Sequence, residues 1–237
     1  MLAPQRFLII GAGKTGGHVP SALPPDAAID IATTRMPLTE QRLADADAVI
    51  VFVPPAAMPD LIDPLLDARL PAVIGTTGVT WPADLDTRLR LAQTPWLVGS
   101  NFSLGMNLMF LMAELLGRSQ QLAPEAFVGS TTAIHETHHI HKKDKPSGSA
   151  LRLRDAFVDA SLPITAERTG DVAGHHELRM TLPHETLTVT HDVADRAVFA
   201  QGAAWAAQHL LPGLPAGFHR FEDQLRQHLR NQHHESV

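Results

Sequence analysis

Over the first hundred residues, short apolar runs alternate with segments of helical character, and few folds accommodate that order. Phe7-Leu-Ile-Ile10 and Ala48–Val53 (AVIVFV) contain no polar residue, and Ala28–Thr33, Ala72–Ile74 and Trp96–Val98 are of the same kind. A run that is apolar on both of its alternating faces is a strand covered from both sides. Thr39–Ala46, Ala57–Ala68 and Pro82–Ala92 lie between these runs and suit helices. Strands and helices in alternation imply a parallel sheet with helices on both faces.

The pattern changes near Asn101. Residues 105–117 (GMNLMFLMAELLG) are apolar over a helical length and read as a packing helix rather than a Met-lined cofactor box. A strand is expected over Thr131–His139, then a His/Lys-rich loop, then a helix from about Ser149 to Asp159. His176–Leu182 and Thr186–His191 alternate apolar with polar and read as half-buried strands, expected antiparallel, with Leu178, Met180 and Leu182 on one face of the first and Leu187 and Val189 in the next. Two helices are expected to close the chain. Arg196–Leu211 is Ala-rich, and Phe218, Phe221, Leu225 and Leu229 recur at helical spacing in the second. Pattern alone does not place these two helices.

The first strand runs into Gly11-Ala12-Gly13-Lys14-Thr15-Gly16, which has the GxGxxG spacing. The first glycine permits a tight turn, the second lets a pyrophosphate approach the backbone, and the third lets a helix pack on the strand. Pro20, Pro24 and Pro25 limit the first helix to barely two turns. The second strand ends Thr33-Thr34-Arg35 with no acid, so Arg35 stands where a ribose 2′-phosphate would be met.

There is no cysteine, which excludes disulfides, thiolate catalysis and cysteine-based zinc sites. A net charge of −6 disfavours nucleic-acid and acidic-membrane partners. No apolar run reaches the length of a membrane span. The N-terminal apolar run passes straight into the glycine turn, unlike a signal peptide. A cytoplasmic enzyme is expected.

Glu136–Leu151 (ETHHIHKKDKPSGSAL) places His138, His139, His141, Lys142 and Lys143 beside a helix start at Ser147-Gly148-Ser149. Imidazole and ammonium groups attract or protonate an anion. The helix start offers N–H groups, hydroxyls and the positive dipole end to a carboxylate or phosphate. The run reads as a site for a small acid that must receive a proton, against two competing readings, a metal site and a solvated loop. On a strand, His135, His139 and His141 would share a face, yet His135 and His139 would lie roughly 13 Å apart at about 3.3 Å per residue. Lys142 and Lys143 would also repel a metal, and none is expected. His138 and Lys142 converge only if the chain leaves the strand near His139. His191 reads as structural, and His209, His219, His228, His233 and His234 as surface residues.

These elements together resemble the dihydrodipicolinate reductase family (4-hydroxy-tetrahydrodipicolinate reductases) of lysine and diaminopimelate biosynthesis. Glu136–Ala150 is similar to the family stretch E-A-H-H-x-x-K-x-D-A-P-S-G-T-A, Val73–Gly78 to V-I-G-T-T-G, Asn101–Asn107 to N-F-S-x-G-x-N, and Thr190–Gly202 to T-H-x-A-x-x-R…F-A-x-G. The resemblance covers nearly the whole chain. It implies an α/β fold: a Rossmann-like dinucleotide-binding domain from residues 1–101 and 197–237, interrupted by an α+β substrate and oligomerisation domain over 102–196. A homotetramer is implied. So is hydride transfer from NADPH, with NADH also accepted, to C4 of a cyclic unsaturated imine dicarboxylate, followed by protonation of an enamine-like intermediate. His138 is the implied proton donor, and Lys142 assists and binds at the same centre. His139, Ser147, Gly148 and Ser149 would contact the substrate. Gly11, Ala12, Gly13, Lys14, Thr15, Gly16, Thr34 and Arg35 would hold the cofactor's phosphates and ribose. Gly75, Thr76 and Thr77 would line the nicotinamide site, with Ser100, Asn101, Phe102 and Ser103 on its hinge side. Four departures stand out. Val51-Phe52-Val53-Pro54 replaces the usual Asp-Phe-Thr or Asp-Phe-Ser, the link over Ala166–Gly174 is short, Ser149 replaces Thr, and Lys145 replaces a small residue. The alternatives are a related nicotinamide enzyme acting on another small carboxylate and a His-based metallohydrolase.

Overall fold

The computed structural model describes residues 5–157, 159 and 161–234, with side chains as far as residue 231. The first four residues, Val158 and the side chains of His233 and His234 lie outside it. In chain order the strands are β1 (Arg6–Ile10), β2 (Ala28–Ala32), β3 (Ala48–Val51), β4 (Ala72–Ile74), β5 (Pro95–Val98), β6 (Thr131–His138), β7 (Ile164–Arg168), β8 (Gly174–Thr181), β9 (Thr186–Val193) and β10 (Gly217–Arg220). The helices are α1 (Val19–Ala22), α2 (Glu40–Ala44), α3 (Pro59–Asp67), α4 (Leu85–Leu91), α5 (Leu104–Leu122), α6 (Gly148–Ala156), α7 (Ala197–His209) and α8 (Phe221–His234). The chain divides into two compact units, Met1–Ser103 with Ala197–Val237, and Leu104–Arg196.

The first unit is a six-stranded sheet in the order β10-β5-β4-β3-β1-β2, and every pair in it is parallel. β3 and β4 are buried at every position, as their unbroken apolar sequence requires. Leu8, Val49, Ile74 and Trp96 pack with Leu65 of α3 and Leu85 and Leu89 of α4 in one core. β1 pairs with β2 on one side and β3 on the other, so successive crossovers leave in opposite directions from its carboxyl end. That switch point is where open α/β sheets bind ligands.

The glycine turn sits there. Gly11 has φ +95°, and a Cβ on it would lie 2.2 Å from the Phe52 carbonyl oxygen. A Cβ on Gly16 would lie 1.9 Å from the Gly11 carbonyl oxygen. Around Gly13 nothing comes within 4 Å of that position. The outer glycines are therefore required by packing, while the middle one leaves open space. The following helix is short, as the prolines demand: a 3-10 turn over Gly16–His18 leads into the four residues of α1.

The second unit has a four-stranded sheet in the order β7-β6-β8-β9. β6 and β8 are antiparallel, as are β8 and β9, whereas β6 and β7 are parallel. α5 and α6 pack together and cover one face, where Met106, Met109, Phe110, Ala150 and Leu153 meet Ile134, Leu178 and Met180. A Cβ on Gly117 would lie 1.9 Å from the Phe157 carbonyl oxygen, which fixes how closely α5 approaches the end of α6.

Several expectations need correction. Phe218 is not on the last helix. It lies in β10 opposite Trp96 of β5, and α8 begins at Phe221. Phe218 still packs against the core, because its ring meets Trp81 at 5.6 Å. Strands β7 and β10 were not foreseen. Leu187 is 45% exposed on the outer strand β9 rather than turned inward. His219 and His228 are half-buried rather than on the surface. The helix expected over Ser149–Asp159 starts one residue earlier and ends at Ala156. Among the described residues no helix is long and apolar enough to cross a membrane.

The glycine geometry separates two substitutions. Gly16→Ala should lower unfolding free energy by at least about 2 kcal/mol, since the new methyl meets backbone that cannot give way. Gly13→Ala should change it by less than about 1 kcal/mol. Urea unfolding of both variants measures the difference; equal losses would contradict the packing.

Candidate active site

Along β6, alternate side chains point to the covered face, and Ile134, Glu136 and His138 are all buried there. Register then sets their neighbours. Ile134 lies opposite Leu178, which lies opposite Val189, an apolar row. Two residues along, Glu136 lies opposite His176, which lies opposite His191. The same face turns from apolar to polar in one step, at the end nearest the His/Lys loop.

Glu136 has no exposed surface. Its Oε1 accepts from the Ser147 N–H at 2.8 Å and from Arg168 Nη2 at 3.0 Å. Its Oε2 lies 3.4 Å from His138 Nδ1 and 3.6 Å from His176 Nε2. Burial alone would raise this carboxyl's pKa, but His176, Ser147 and Arg168 together hold it well below the usual range, and it is ionised. Arg168 also donates to the Lys142 carbonyl at 3.3 Å and to the carbonyl of Asp144. One guanidinium thus neutralises the carboxylate and fixes the path of the loop around it.

The loop leaves the strand after His138, with the Lys142 N–H returning to the His139 carbonyl at 3.1 Å. Lys142 Nζ meets Asp144 at 2.9 Å, and Asp144 Oδ2 accepts from the Gly148 N–H at 3.3 Å. An internal carboxylate therefore occupies both the ammonium and the start of α6. Ser147 is buried. Its N–H goes to Glu136, while its hydroxyl caps the Ala150 N–H at 3.1 Å and lies 3.4 Å from His176 Nε2. Gly148 is exposed and Ser149 half-buried. His139 Nε2 accepts from Arg196 at 3.2 Å, which leaves its proton on Nδ1.

His138 is 7% exposed, and its ring meets that of His176 edge-on at 5.0 Å. Burial, reinforced by His176 and opposed by Glu136, with Lys142 and Arg168 adding to the depression, pushes its pKa down to about 4. The ligand-free imidazole is neutral near pH 7. Burial and His176 likewise depress His191, against the pull of Asp192.

Donor atoms of Glu136, His138 and His176 all lie within 4.8 Å of one another, close enough for a metal ion. The guanidinium on Glu136 and the nearby ammonium already supply its counter-charge, and they disfavour a dication. His135 points to the other face of the sheet, toward His175, and does not join His138, His176 and His191.

On the first unit, residues from Gly11, Ala12 and Gly13 to Thr33, Thr34 and Leu38 line a cavity of about 570 Å³ over the carboxyl ends of β1–β3. Gly13, Lys14, Thr15, Gly16, Gly75 and Thr77 line a smaller neighbour of about 210 Å³. Open space at Gly13 and these cavities fit a dinucleotide. The Thr33 hydroxyl accepts from the N–H groups of Arg35 and Met36, at 3.3 and 3.1 Å, which shapes the loop and leaves Thr34 and Arg35 exposed at its tip. Thr76 is buried and bonds the Val53 N–H at 3.3 Å. Gly75 lies against the Phe52 ring, and Asn101 Oδ1 accepts from the Ser103 N–H at 2.9 Å. Phe102 and Ser103 are buried, and Ser100 is exposed.

Sequence reasoning passed over Glu136, Arg168 and His176 as site residues. The signal for His176 was present, because it alternates with Leu178 and Met180 and so falls on their buried face.

The depressed His138 gives a stability test. Between about pH 6.5 and 4 the unfolded chain binds a proton there that the folded chain refuses, so stability falls as pH falls through that window. The loss is on the order of 2–3 kcal/mol at about 1.4 per unit. Chemical denaturation should show His138→Gln losing less stability than the parent between pH 6.5 and 4. Parallel curves would contradict the depression.

A family model described as "Dihydrodipicolinate reductase, C-terminus" matches residues 105–225. The 4-hydroxy-tetrahydrodipicolinate reductase of Alkaliphilus oremlandii is 32% identical over 191 residues, covering 71% of this chain and 77% of the relative. That of Xylella fastidiosa is 34% identical over 179 residues, covering 75% and 72%. The dipicolinate-bound dihydrodipicolinate reductase of Paenisporosarcina sp. TG-14 shares the fold, with a TM-score of 0.74 over 93% of this chain and 99% of that one, at 19% identity. A model match over the second unit and beyond, with relatives above 30% identity across most of both chains, is enough to say that this chain belongs to the dihydrodipicolinate reductase family.

Proposed function

We propose that this chain reduces 4-hydroxy-tetrahydrodipicolinate to tetrahydrodipicolinate with NAD(P)H, in lysine and diaminopimelate biosynthesis. The observation that carries the reading is a buried imidazole, His138, set beside an ionised carboxylate, an ammonium and a helix start on a chain of this family. The reduced nicotinamide supplies hydride to the ring carbon. The first unit binds it, with Gly11, Ala12, Gly13, Lys14, Thr15 and Gly16 at the phosphates, and Gly75, Thr76, Thr77 and Ser100–Ser103 near the nicotinamide.

In the second unit, Lys142 and the N–H groups of Gly148 and Ser149 receive a substrate carboxylate. Ser147 acts by shaping that turn, since its own polar groups are engaged within the protein. Lys142 must leave Asp144 to do so. His139, fixed by Arg196, contacts the substrate from the strand end. His138 delivers the proton. A neutral imidazole is a poor acid, but a dianionic ligand beside it raises its proton affinity, so His138 gains its proton with substrate bound. A cytoplasmic homotetramer belongs to the same proposal.

Oxidation of NADPH with freshly generated substrate, against a panel of amino and keto acids, tests the reading. No turnover of the cyclic imine would sink it. His138→Ala should lower turnover about 10²–10⁴-fold with little change in substrate KM, as loss of a general acid does. Turnover within about threefold of the parent would remove His138 from the role.

The exposed Arg35, at a loop tip whose chain neighbours Thr33, Thr34 and Met36 are not acidic, should favour NADPH over NADH. Asp30 nearby is paired with Arg42 at 3.3 Å. A charge-assisted contact of about 1.5–3 kcal/mol corresponds to roughly tenfold to a hundredfold. The preference should shrink at high salt and largely vanish in Arg35→Ala. Equal use of both nucleotides by the parent would mean that Arg35 does not contact the 2′-phosphate.

A further inference from the structure

Glu136 has no direct role in the chemistry above, yet its side chain is fully buried and fixed in place. Its Oε1 is held by two donors, Ser147 N–H and Arg168, so the carboxylate cannot turn and Oε2 has a fixed direction. That direction is toward His138 Nδ1, 3.4 Å away, with His176 Nε2, which also lies 3.4 Å from the Ser147 hydroxyl, at 3.6 Å. Neither Oε2 nor Nδ1 has a hydrogen-bond partner among the described residues. Of the two imidazole nitrogens facing Oε2, His138 Nδ1 is the nearer and the one with no other partner, so it forms a natural pair with the carboxylate, and such contacts are often long before ligand binds. The far side of the ring is kept clear: a Cβ on Gly174 would lie 3.3 Å from Nε2, and glycine leaves that space empty.

We propose that Glu136 is a positioning residue for proton transfer: it fixes the neutral His138 with its proton on Nδ1 and leaves Nε2 as the atom that carries the transferred proton. This rests on the reading of His138 as the donor. In the step itself the Nε2–H bond breaks and its electrons stay on nitrogen. A new bond to hydrogen forms on the reduced substrate, and the imidazolium returns to neutral imidazole with Nδ1–H still directed at Glu136. Solvent restores the Nε2 proton. A carboxylate that fixes one ring nitrogen and stabilises the imidazolium does the same in hydrolytic triads, where losing it costs about 10⁴-fold through the wrong tautomer.

The groups acting on His138 are Glu136 on β6, Arg168 on β7, His176 on β8 and Lys142 in the loop, with His191 of β9 behind His176. Glu136 is the one anion among them. Its neutralisation should therefore make His138 harder to protonate.

Two measurements decide the matter. The first is the ¹⁵N imidazole spectrum of the ligand-free parent near pH 7, with the His138 signals assigned by their loss in His138→Gln. Protonated Nδ1 with bare Nε2 is expected, becoming a mixture of tautomers in Glu136→Gln. The parent result stands without any variant, and protonated Nε2 would overturn the proposal. The second is the pH profile of turnover in Glu136→Gln. Turnover should fall about 10²-fold, and the alkaline limb should move roughly one unit toward acid. Inhibition by a planar pyridine dicarboxylate should weaken less than about fivefold. An unmoved limb with dicarboxylate binding lost would mean that Glu136 serves only to hold α6 and Arg168, and would overturn the proposal. If His138→Ala retains turnover, the donor assignment itself fails, and that is read separately from the tautomer spectrum.

Discussion

An ionised carboxylate with no exposed surface sets the terms for the second unit. Removing a carboxylate from water costs several kcal/mol even after relaxation, and Glu136 persists as an anion only because its neighbours recover that cost. The recovery dictates structure. Arg168 must end β7 beside β6, the Ser147 N–H must face inward, and the loop between must pass over the guanidinium that its own carbonyls accept from. The turn into α6 and the side chain of His138 are thereby referenced to one point. Loss of a single partner would strand a buried charge, typically a loss of about 3–5 kcal/mol.

The first unit depends on backbone proximity instead. Glycines there permit three close approaches, two at the switch point of the sheet, Gly11 against the end of β3 and Gly16 against Gly11, and one after β5, Gly202 of α7 against the carbonyl of Phe102. Gly13 is free of such contacts. The difference shows which glycines serve packing and which leaves room for a ligand, a distinction the GxGxxG spacing alone does not make.

β1, β3, β4 and β5 were legible because burial on both faces leaves an unmistakable composition, as in AVIVFV, whereas β2, expected to be covered in the same way, is an edge strand exposed over most of its length. β7 and β10 were not legible. ITAER carries a polar residue at alternate positions, and its place beside β6 comes from long-range pairing with no local signature. Phe218, Phe221 and Leu225 satisfy helical spacing, but a strand followed at once by a helix produces the same intervals, and pairing with β5 decides between them. In the site, His138, Lys142 and the helix start at Ser147 could be picked out because they crowd into one stretch of chain. Arg168 and His176 reach it from other strands, and Glu136 looked like an ordinary strand acid. What sequence concealed was the layer behind them: the groups that hold the proposed reacting ones are spread across three strands, β6, β7 and β8, and meet only through register.

Charge balance links the two layers. Leaving the imidazoles aside, the ligand-free cluster sets Glu136 and Asp144 against Arg168 and Lys142, and Asp144 occupies the ammonium and helix start proposed for a substrate carboxylate. A dicarboxylate entering this cluster brings two negative charges and displaces a third. Lys142 can answer one of them by exchanging partners. The remaining excess must be met by a group that changes its charge, and His138, neutral with its pKa at about 4, is placed to do so. In the proposed function burial then has a use: an imidazole too desolvated to carry a proton in the empty site would become charged when the anion that needs the proton arrives. The same depression that weakens the folded chain in mild acid would keep the proposed donor neutral until substrate is bound.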